Sequence, residues 1–100
     1  MKKHILFGLL LVSLLVTGCA REVCVDKESG AELSLKEAEE IAAKSECGDN
    51  IKAGHICNDF TGTWWIDLDI EKPGCSPACV VDVNTKTASI NWRCTGLIPE

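Results

Sequence analysis

The chain has 100 residues and a formal net charge of −5, with ten Lys and Arg against fifteen Asp and Glu. This length allows one folded domain and excludes two, and the acidic balance excludes nucleic acid as a natural partner. Seven cysteines in so short a chain are typical of an exported, disulfide-containing protein and not of a cytosolic enzyme.

The first nineteen residues have the pattern of an export signal. Residues 1–3 are a basic head, and residues 5–16 are an uncharged apolar run that is shorter than the ~20 residues of a membrane-spanning helix. The segment 16–19, Val-Thr-Gly-Cys, resembles the bacterial lipobox. That resemblance implies removal of residues 1–18 as a lipoprotein signal peptide and lipidation of Cys19. The alternatives are an ordinary secretory signal and a retained single-pass anchor.

The remaining cysteines predict a scaffold of disulfides. With Cys19 assigned to lipid, six are left, an even number that predicts three disulfides in an oxidising compartment. They are Cys24, Cys47, Cys57, Cys75, Cys79 and Cys94. We expect residues 19–32 to contain the lipidated cysteine and a polar tether, tied to the fold through Cys24. Residues 33–100 then form the single domain.

A helix is predicted from Ser34 onward. Ser34 and Glu37 have the spacing of a capping box, in which each side chain satisfies a backbone N–H of the other residue. Apolar residues then recur at helical spacing and mark the face that packs on the core. They are Leu35, Ala38, Ile41 and Ala42. Gly48 is the expected end of the helix.

From Thr63 the period of the pattern changes to two, which is typical of strands. An inward row alternates with an outward, mostly acidic row; these rows are Trp64, Ile66, Leu68 and Ile70, and Trp65, Asp67, Asp69 and Glu71. A hairpin follows, with residues 84–87 as its turn. The predicted fold class is α+β, one helix packed on a three-stranded antiparallel sheet. Residues 51–57 are a weaker candidate for a further strand because Gly54 interrupts their alternation.

A four-residue turn at 84–87 would place residues whose numbers sum to 171 opposite each other, so that Val81 faces Ile90. In this register Cys75 reaches Cys94 more easily than Cys79 does. A bond between Cys47 and Cys57 would be local. The pairing of the six cysteines stays open at this point, since fifteen arrangements are possible.

The order of helix and meander resembles a PepSY-type domain. The resemblance is carried by residues 35–42 (LKEAEEIA), 63–68 (TWWIDL) and 81–88 (VDVNTKTA), and it covers residues 33–93. It implies a role in peptidase inhibition or in sensing and binding at the cell envelope. It supplies no catalytic residue. Lys86-Thr87 differs from the Thr-Gly that is usual at this turn.

Catalytic and metal chemistry is weakly supported. His55, Cys57 and the Cys75/Cys79 pair offer soft metal ligands, but recurrent C-x₂₋₄-C pairs are missing. Cys75 and Cys79 precede a strand and not a helix N-terminus, which disfavours redox catalysis. No nucleophile-elbow pattern accompanies the serines. We therefore expect no catalytic residue, no metal and no cofactor.

The outward face of the predicted sheet is the candidate site. Trp65 lies there among carboxylates of the same face, which are Asp67, Asp69 and Asp82. The face is either a plain solvated surface, a weak calcium site, or a contact surface for a protein or peptide with Trp65 as its anchor. The predicted function is a membrane-anchored, non-enzymatic binding module. The alternatives are a structural envelope lipoprotein and a thiol- or metal-dependent activity.

Overall fold

A computed structural model of the chain describes residues 22–95. Cys19 and the expected signal peptide lie outside the described residues. The elements in chain order are β1 (Val23–Val25), β2 (Glu32–Ser34), α1 (Leu35–Ala43), β3 (Ile51–Asn58), β4 (Thr63–Leu68), β5 (Ala78–Asp82) and β6 (Ala88–Asn91). Strands β1 and β2 form a two-stranded antiparallel sheet, and β3 to β6 form a four-stranded antiparallel sheet in sequential order.

The α+β class is confirmed, but the prediction of one helix on a three-stranded sheet is wrong. Strand β3 pairs with β4 and adds a fourth strand, with a shift of register between Ile51 and His55. This irregularity includes Gly54, where a Cβ would lie 3.2 Å from Asp67 Cγ. The second sheet, β1 and β2, is built largely from the segment expected to be a tether. Its strands have three residues each, too few to show a period.

Helix α1 begins as the capping box predicts. Ser34 Oγ accepts the Glu37 backbone N–H at 3.1 Å, and Glu37 Oε1 accepts the Ser34 backbone N–H at 3.3 Å. The helix ends at Ala43 and not near Gly48. Ser45 accounts for the earlier end, because its hydroxyl and its backbone N–H both donate to the Ala42 carbonyl, at 2.7 and 3.0 Å.

The core lies between the inner face of the four-stranded sheet and the layer made by α1 and the β1–β2 hairpin. The predicted inward row is confirmed for Trp64, Ile66 and Leu68, which are all buried. Ile70, the last residue of that predicted row, lies beyond the end of β4 and is half-buried. Trp64 also donates its indole N–H to the Leu33 carbonyl at 2.8 Å. That bond joins the two layers and satisfies the buried polar atom of the indole. The other buried apolar residues include Cys24, Ala38, Ala42, Cys47, Cys79, Val81 and Val83.

Three disulfides are present, as the cysteine count predicts. Cys24–Cys57 joins β1 to β3, Cys47–Cys79 joins the segment after α1 to β5, and Cys75–Cys94 joins the segments that flank the β5–β6 hairpin. The expected approach of Cys75 to Cys94 is confirmed. The local Cys47–Cys57 option is wrong, because both residues bond across the two layers.

Disulfides persist in oxidising compartments, so these three bonds indicate a location outside the cytoplasm. Among residues 22–95, no helix has the length and apolar character needed to cross a membrane.

Three hairpin turns share one geometry. Each opens with Asp or Asn whose side-chain Oδ1 accepts the backbone N–H groups two and three residues later, and whose carbonyl accepts the N–H four residues later. The turns are residues 26–30 (DKESG), 58–62 (NDFTG) and 82–86 (DVNTK). The last residue of each has a left-handed φ, +81° at Gly30, +66° at Gly62 and +59° at Lys86.

This turn geometry corrects the predicted register of the last hairpin. Its turn starts at Asp82, and the Asp82 N–H donates to the Thr87 carbonyl at 2.8 Å. Opposed residues therefore have numbers that sum to 169, so that Val81 faces Ala88 and Cys79 faces Ile90. A shift of two residues keeps every inward side chain inward, which is why the side-chain pattern alone cannot separate the two registers.

Candidate binding face

The outer face of the four-stranded sheet carries a contiguous apolar patch, which consists of Ile56, Phe60, Trp65 and Val80. Ile56 faces Trp65 across β3 and β4, and Trp65 faces Val80 across β4 and β5. Phe60 projects from the turn between β3 and β4. Ile56 is 64% exposed and Phe60 is 77% exposed, while Trp65 and Val80 are half-buried.

An open groove of about 330 Å³ lies on this patch. Its lining is Ile56, Cys57, Asn58, Asp59, Phe60 and Trp65. The indole of Trp65 is held in place because its Nε1–H donates to Thr63 Oγ1 at 2.8 Å. The Lys27 ammonium lies 4.6 Å from the centre of the Phe60 ring. The groove therefore combines an indole held by a hydrogen bond with an exposed phenyl ring.

The carboxylates expected around Trp65 have other partners. Asp67 Oδ1 accepts from Arg93 Nη2 at 3.0 Å, and Asp82 Oδ1 accepts the backbone N–H groups that close its own turn, at 2.8 and 3.0 Å. Asp69 lies beyond the end of β4, in a separate groove of about 380 Å³ with Lys52 and Glu71. The structure thus brings Trp65, Asp67 and Asp82 to one face and leaves Asp69 apart.

Charge is divided unevenly between the two layers. Residues 22–50, which form the hairpin and helix layer, contain nine Asp and Glu against three Lys, a net charge of −6. Residues 51–95, which form the four-stranded sheet, contain five acidic and four basic residues, a net charge of −1. The sheet layer is therefore close to neutral, and the distinguishing feature of its outer face is apolar surface.

On the opposite face of β3, His55 joins the start of the described chain to the sheet. Its Nε2 lies 2.8 Å from Glu22 Oε1, and its Nδ1 lies 2.8 Å from the Ala53 carbonyl oxygen. The hydrogen bond to the Ala53 carbonyl, followed by that to Glu22, raises the pKa of His55 above its ordinary value of 6.5. The stabilisation of the folded state by protonated His55 is present in full below pH 6.5 and is lost as the pH rises through the folded-state pKa of His55.

Asp26 joins the first turn to the third. Its Oδ2 accepts from Asn84 Nδ2 at 2.7 Å. This hydrogen bond, with those from the Ser29 and Glu28 backbone N–H groups, lowers the pKa of Asp26. The resulting stabilisation is present above the unfolded-state pKa and is lost as the pH falls through the folded-state value.

Among residues 22–95, no three His, Cys, Asp or Glu side chains are grouped so as to hold a metal ion. Cys75 and Cys79 bond to different partners, so they form no local redox pair.

Sequence reasoning identified Trp65 but missed Ile56, Phe60 and Val80. A signal existed for Phe60, because a large aromatic residue in the turn sequence NDFTG has no core to enter. Ile56 and Val80 could not be assigned to the patch without the pairing of β3 and β5 to β4. Comparison with protein-family models, with curated proteins and with solved structures finds no match for the chain.

Proposed function

We propose that the protein is a lipid-anchored, non-enzymatic binding module of the cell envelope, and that the apolar patch of its outer sheet face contacts a protein or peptide. The observation that carries the proposal is the exposure of Ile56 and Phe60 beside the half-buried Trp65. Contiguous exposed apolar surface of this kind marks interaction sites, and aromatic side chains in such surfaces supply much of the binding energy.

The anchor is supported by the lipobox-like segment 16–19 and by the three disulfides, which fit an exported domain. The similarity of residues 33–93 to PepSY domains favours a peptidase among the protein partners. A structural envelope lipoprotein without a dedicated ligand is the second candidate, because solvated sheet faces often carry scattered apolar residues.

The lipid anchor predicts the behaviour of a Cys19→Ser variant. Cys19→Ser is expected to abolish incorporation of labelled fatty acid and to move the protein from the detergent-rich to the aqueous phase in detergent partitioning, since the acyl chains supply the membrane affinity. Ser13→Ala, in the same signal segment, serves as the control and keeps both properties. Equal fatty-acid labelling and partitioning of Cys19→Ser and the native chain would contradict the anchor.

The binding face predicts the effect of removing its two aromatic side chains. The double variant Phe60→Ala/Trp65→Ala is expected to recover about tenfold less partner protein from solubilised envelopes than the native chain does, because these side chains form the centre of the contact. Recovery is measured by quantitative mass spectrometry after affinity purification of the full chain.

Val25→Ala is the matched control, because Val25 is 40% exposed but lies on β1, in the other sheet. Circular dichroism and thiol titration verify that all variants are folded and oxidised. Equal recovery by the native chain and both variants would favour the structural lipoprotein.

A further inference from the structure

We infer that the partner presents an extended backbone segment that pairs with the open edge of β3 as a fifth strand and places alternate apolar side chains on the apolar patch. This inference rests on the proposed function and specifies how the partner is recognised. Addition of a strand to a sheet edge combines main-chain hydrogen bonds for affinity with side-chain contacts for specificity.

The two edges of the four-stranded sheet differ. At the β6 edge, the outward Ile90 N–H donates to the Glu46 carboxylate at 2.8 Å, and the Cys75–Cys94 disulfide lies beyond the end of the strand. Bonding by a side chain blocks this edge to another strand. At the β3 edge, the Ala53 carbonyl accepts from the His55 ring at 2.8 Å, and just beyond the strand the Asp59 carbonyl accepts from Lys27 N–H at 2.9 Å. Between these two points, none of the described residues bonds to the outward backbone groups of β3. The stretch of β3 between Ala53 and Asp59 is therefore the part of the two edges that is available for pairing.

The hydrogen-bond alternation of the sheet identifies the groups on this edge. Residues 62 and 68 bond to the two residues that flank β5, since the Gly62 carbonyl accepts from Val83 N–H at 2.9 Å and Leu68 N–H donates to the Pro77 carbonyl at 3.1 Å. The odd-numbered residues of β4 consequently direct their backbone groups toward β3. Asp69 continues this alternation, because its N–H donates to the Asn50 carbonyl at 2.7 Å.

The same alternation continues into β3. Ile56 and Asn58, which face Trp65 and Thr63, have their backbone groups bonded to β4. The intervening residues His55 and Cys57 therefore direct their N–H and carbonyl groups to the open edge. A strand added there meets two donors and two acceptors at the regular spacing of a sheet.

Side chains of an added strand alternate between the two faces of the sheet. Those on the outer face lie next to Ile56 and the groove beside Phe60, where the surface is apolar and the layer is nearly neutral. Those on the inner face lie next to the Cys24–Cys57 disulfide and the His55–Glu22 pair. The segment recognised is therefore one with apolar or aromatic residues at every second position.

The point where the chain enters the fold favours a protein segment over the bilayer as the occupant. Glu22 is held on the inner side, where its carbonyl accepts from Leu35 N–H at 2.9 Å and its carboxylate contacts His55. Two residues separate Glu22 from Cys19, so the Cα atoms of Glu22 and Cys19 are at most about 11 Å apart. With Cys19 lipidated, the bilayer lies on the side of the hairpin and helix layer. The patch faces the opposite direction.

The test uses the detergent-solubilised full chain and a library of displayed short random peptides. We expect enrichment of peptides that have apolar residues at every second position. A synthetic peptide from this set is then N-methylated at single amides. Methylation at the amides that face β3 is expected to weaken binding about tenfold or more. Each methyl group there removes a main-chain hydrogen bond and prevents the close approach of the peptide to β3. Methylation at the intervening amides leaves binding within about threefold.

Phe60→Ala/Trp65→Ala weakens binding of the same peptide, and Val25→Ala does not. If the aromatic double variant loses binding but the position of the N-methyl group has no effect, edge pairing is wrong and the proposed binding face stands. If neither the aromatic double variant nor the position of the N-methyl group changes binding, both edge pairing and the proposed binding face are wrong. The inference is overturned if no alternating peptides are enriched. It is also overturned if light scattering shows a dimer, which would favour a second copy of the chain as the occupant. Patch-dependent binding to anionic or neutral phospholipid vesicles would overturn it in favour of a membrane.

Discussion

The double substitution Cys47→Ala/Cys79→Ala is expected to lower the free energy of unfolding by about 5 kcal/mol. The disulfide closes a loop with a sequence separation of 32, for which the loss of chain entropy in the unfolded state contributes about 3.7 kcal/mol. Cys47 and Cys79 are also fully buried, so the truncated side chains leave a core cavity worth about 1 kcal/mol. Guanidinium denaturation of the oxidised protein measures the loss.

Cys75→Ala/Cys94→Ala is the matched control for this prediction. That disulfide closes a loop with a separation of 19, and Cys94 is exposed, so its removal opens no core cavity. We expect a loss of about 3 kcal/mol from the chain-entropy contribution alone. A loss from Cys75→Ala/Cys94→Ala as large as that from Cys47→Ala/Cys79→Ala would show that burial adds nothing to the buried bond.

Gly62→Ala is expected to destabilise the protein by about 3 kcal/mol. Gly62 has a φ of +66°, and a Cβ there would lie 2.8 Å from Asp26 Cγ. The left-handed backbone costs alanine about 1–2 kcal/mol. Relief of the overlap must also displace the Asp26 carboxylate, which bonds to Asn84 and to two backbone N–H groups. Thermal unfolding monitored by circular dichroism provides the measurement.

Two other turns provide controls at the same position of the same geometry. Gly30 has a φ of +81° and nothing within 4 Å of a Cβ, so Gly30→Ala is expected to cost only the backbone contribution of about 1–2 kcal/mol. Lys86 already adopts a φ of +59°, and Lys86→Gly is expected to gain up to about 1 kcal/mol. Equal losses for Gly62→Ala and Gly30→Ala would show that contact with Asp26 has no energetic consequence.

Several features of this protein follow from local sequence. The capping box of Ser34 and Glu37 uses only neighbouring groups, so the start of α1 is predicted to the residue. The alternation from Trp64 to Leu68 gives the buried face of β4 because that strand is long enough to show its period. The even number of cysteines after Cys19 predicts three disulfides, although it cannot give their pairing.

The hairpin register shows where local reasoning ends. The residues of the last turn are visible in the sequence, but whether the turn begins at Asp82 or at Asn84 depends on the hydrogen bonds to the Asp82 carboxylate and on a left-handed lysine. Both choices bury the same side chains. Only the backbone of the folded chain distinguishes them.

Sequence alone determined the start of the helix, the inward face of β4 and the number of disulfides. Tertiary structure decided the rest, because each remaining feature depends on residues distant in the chain. Strand β3 is irregular where Gly54 meets Asp67, so its period is broken and its place beside β4 is set by pairing. The apolar patch forms when three strands and a turn bring its four side chains together. No local sequence pattern predicts that these four side chains meet.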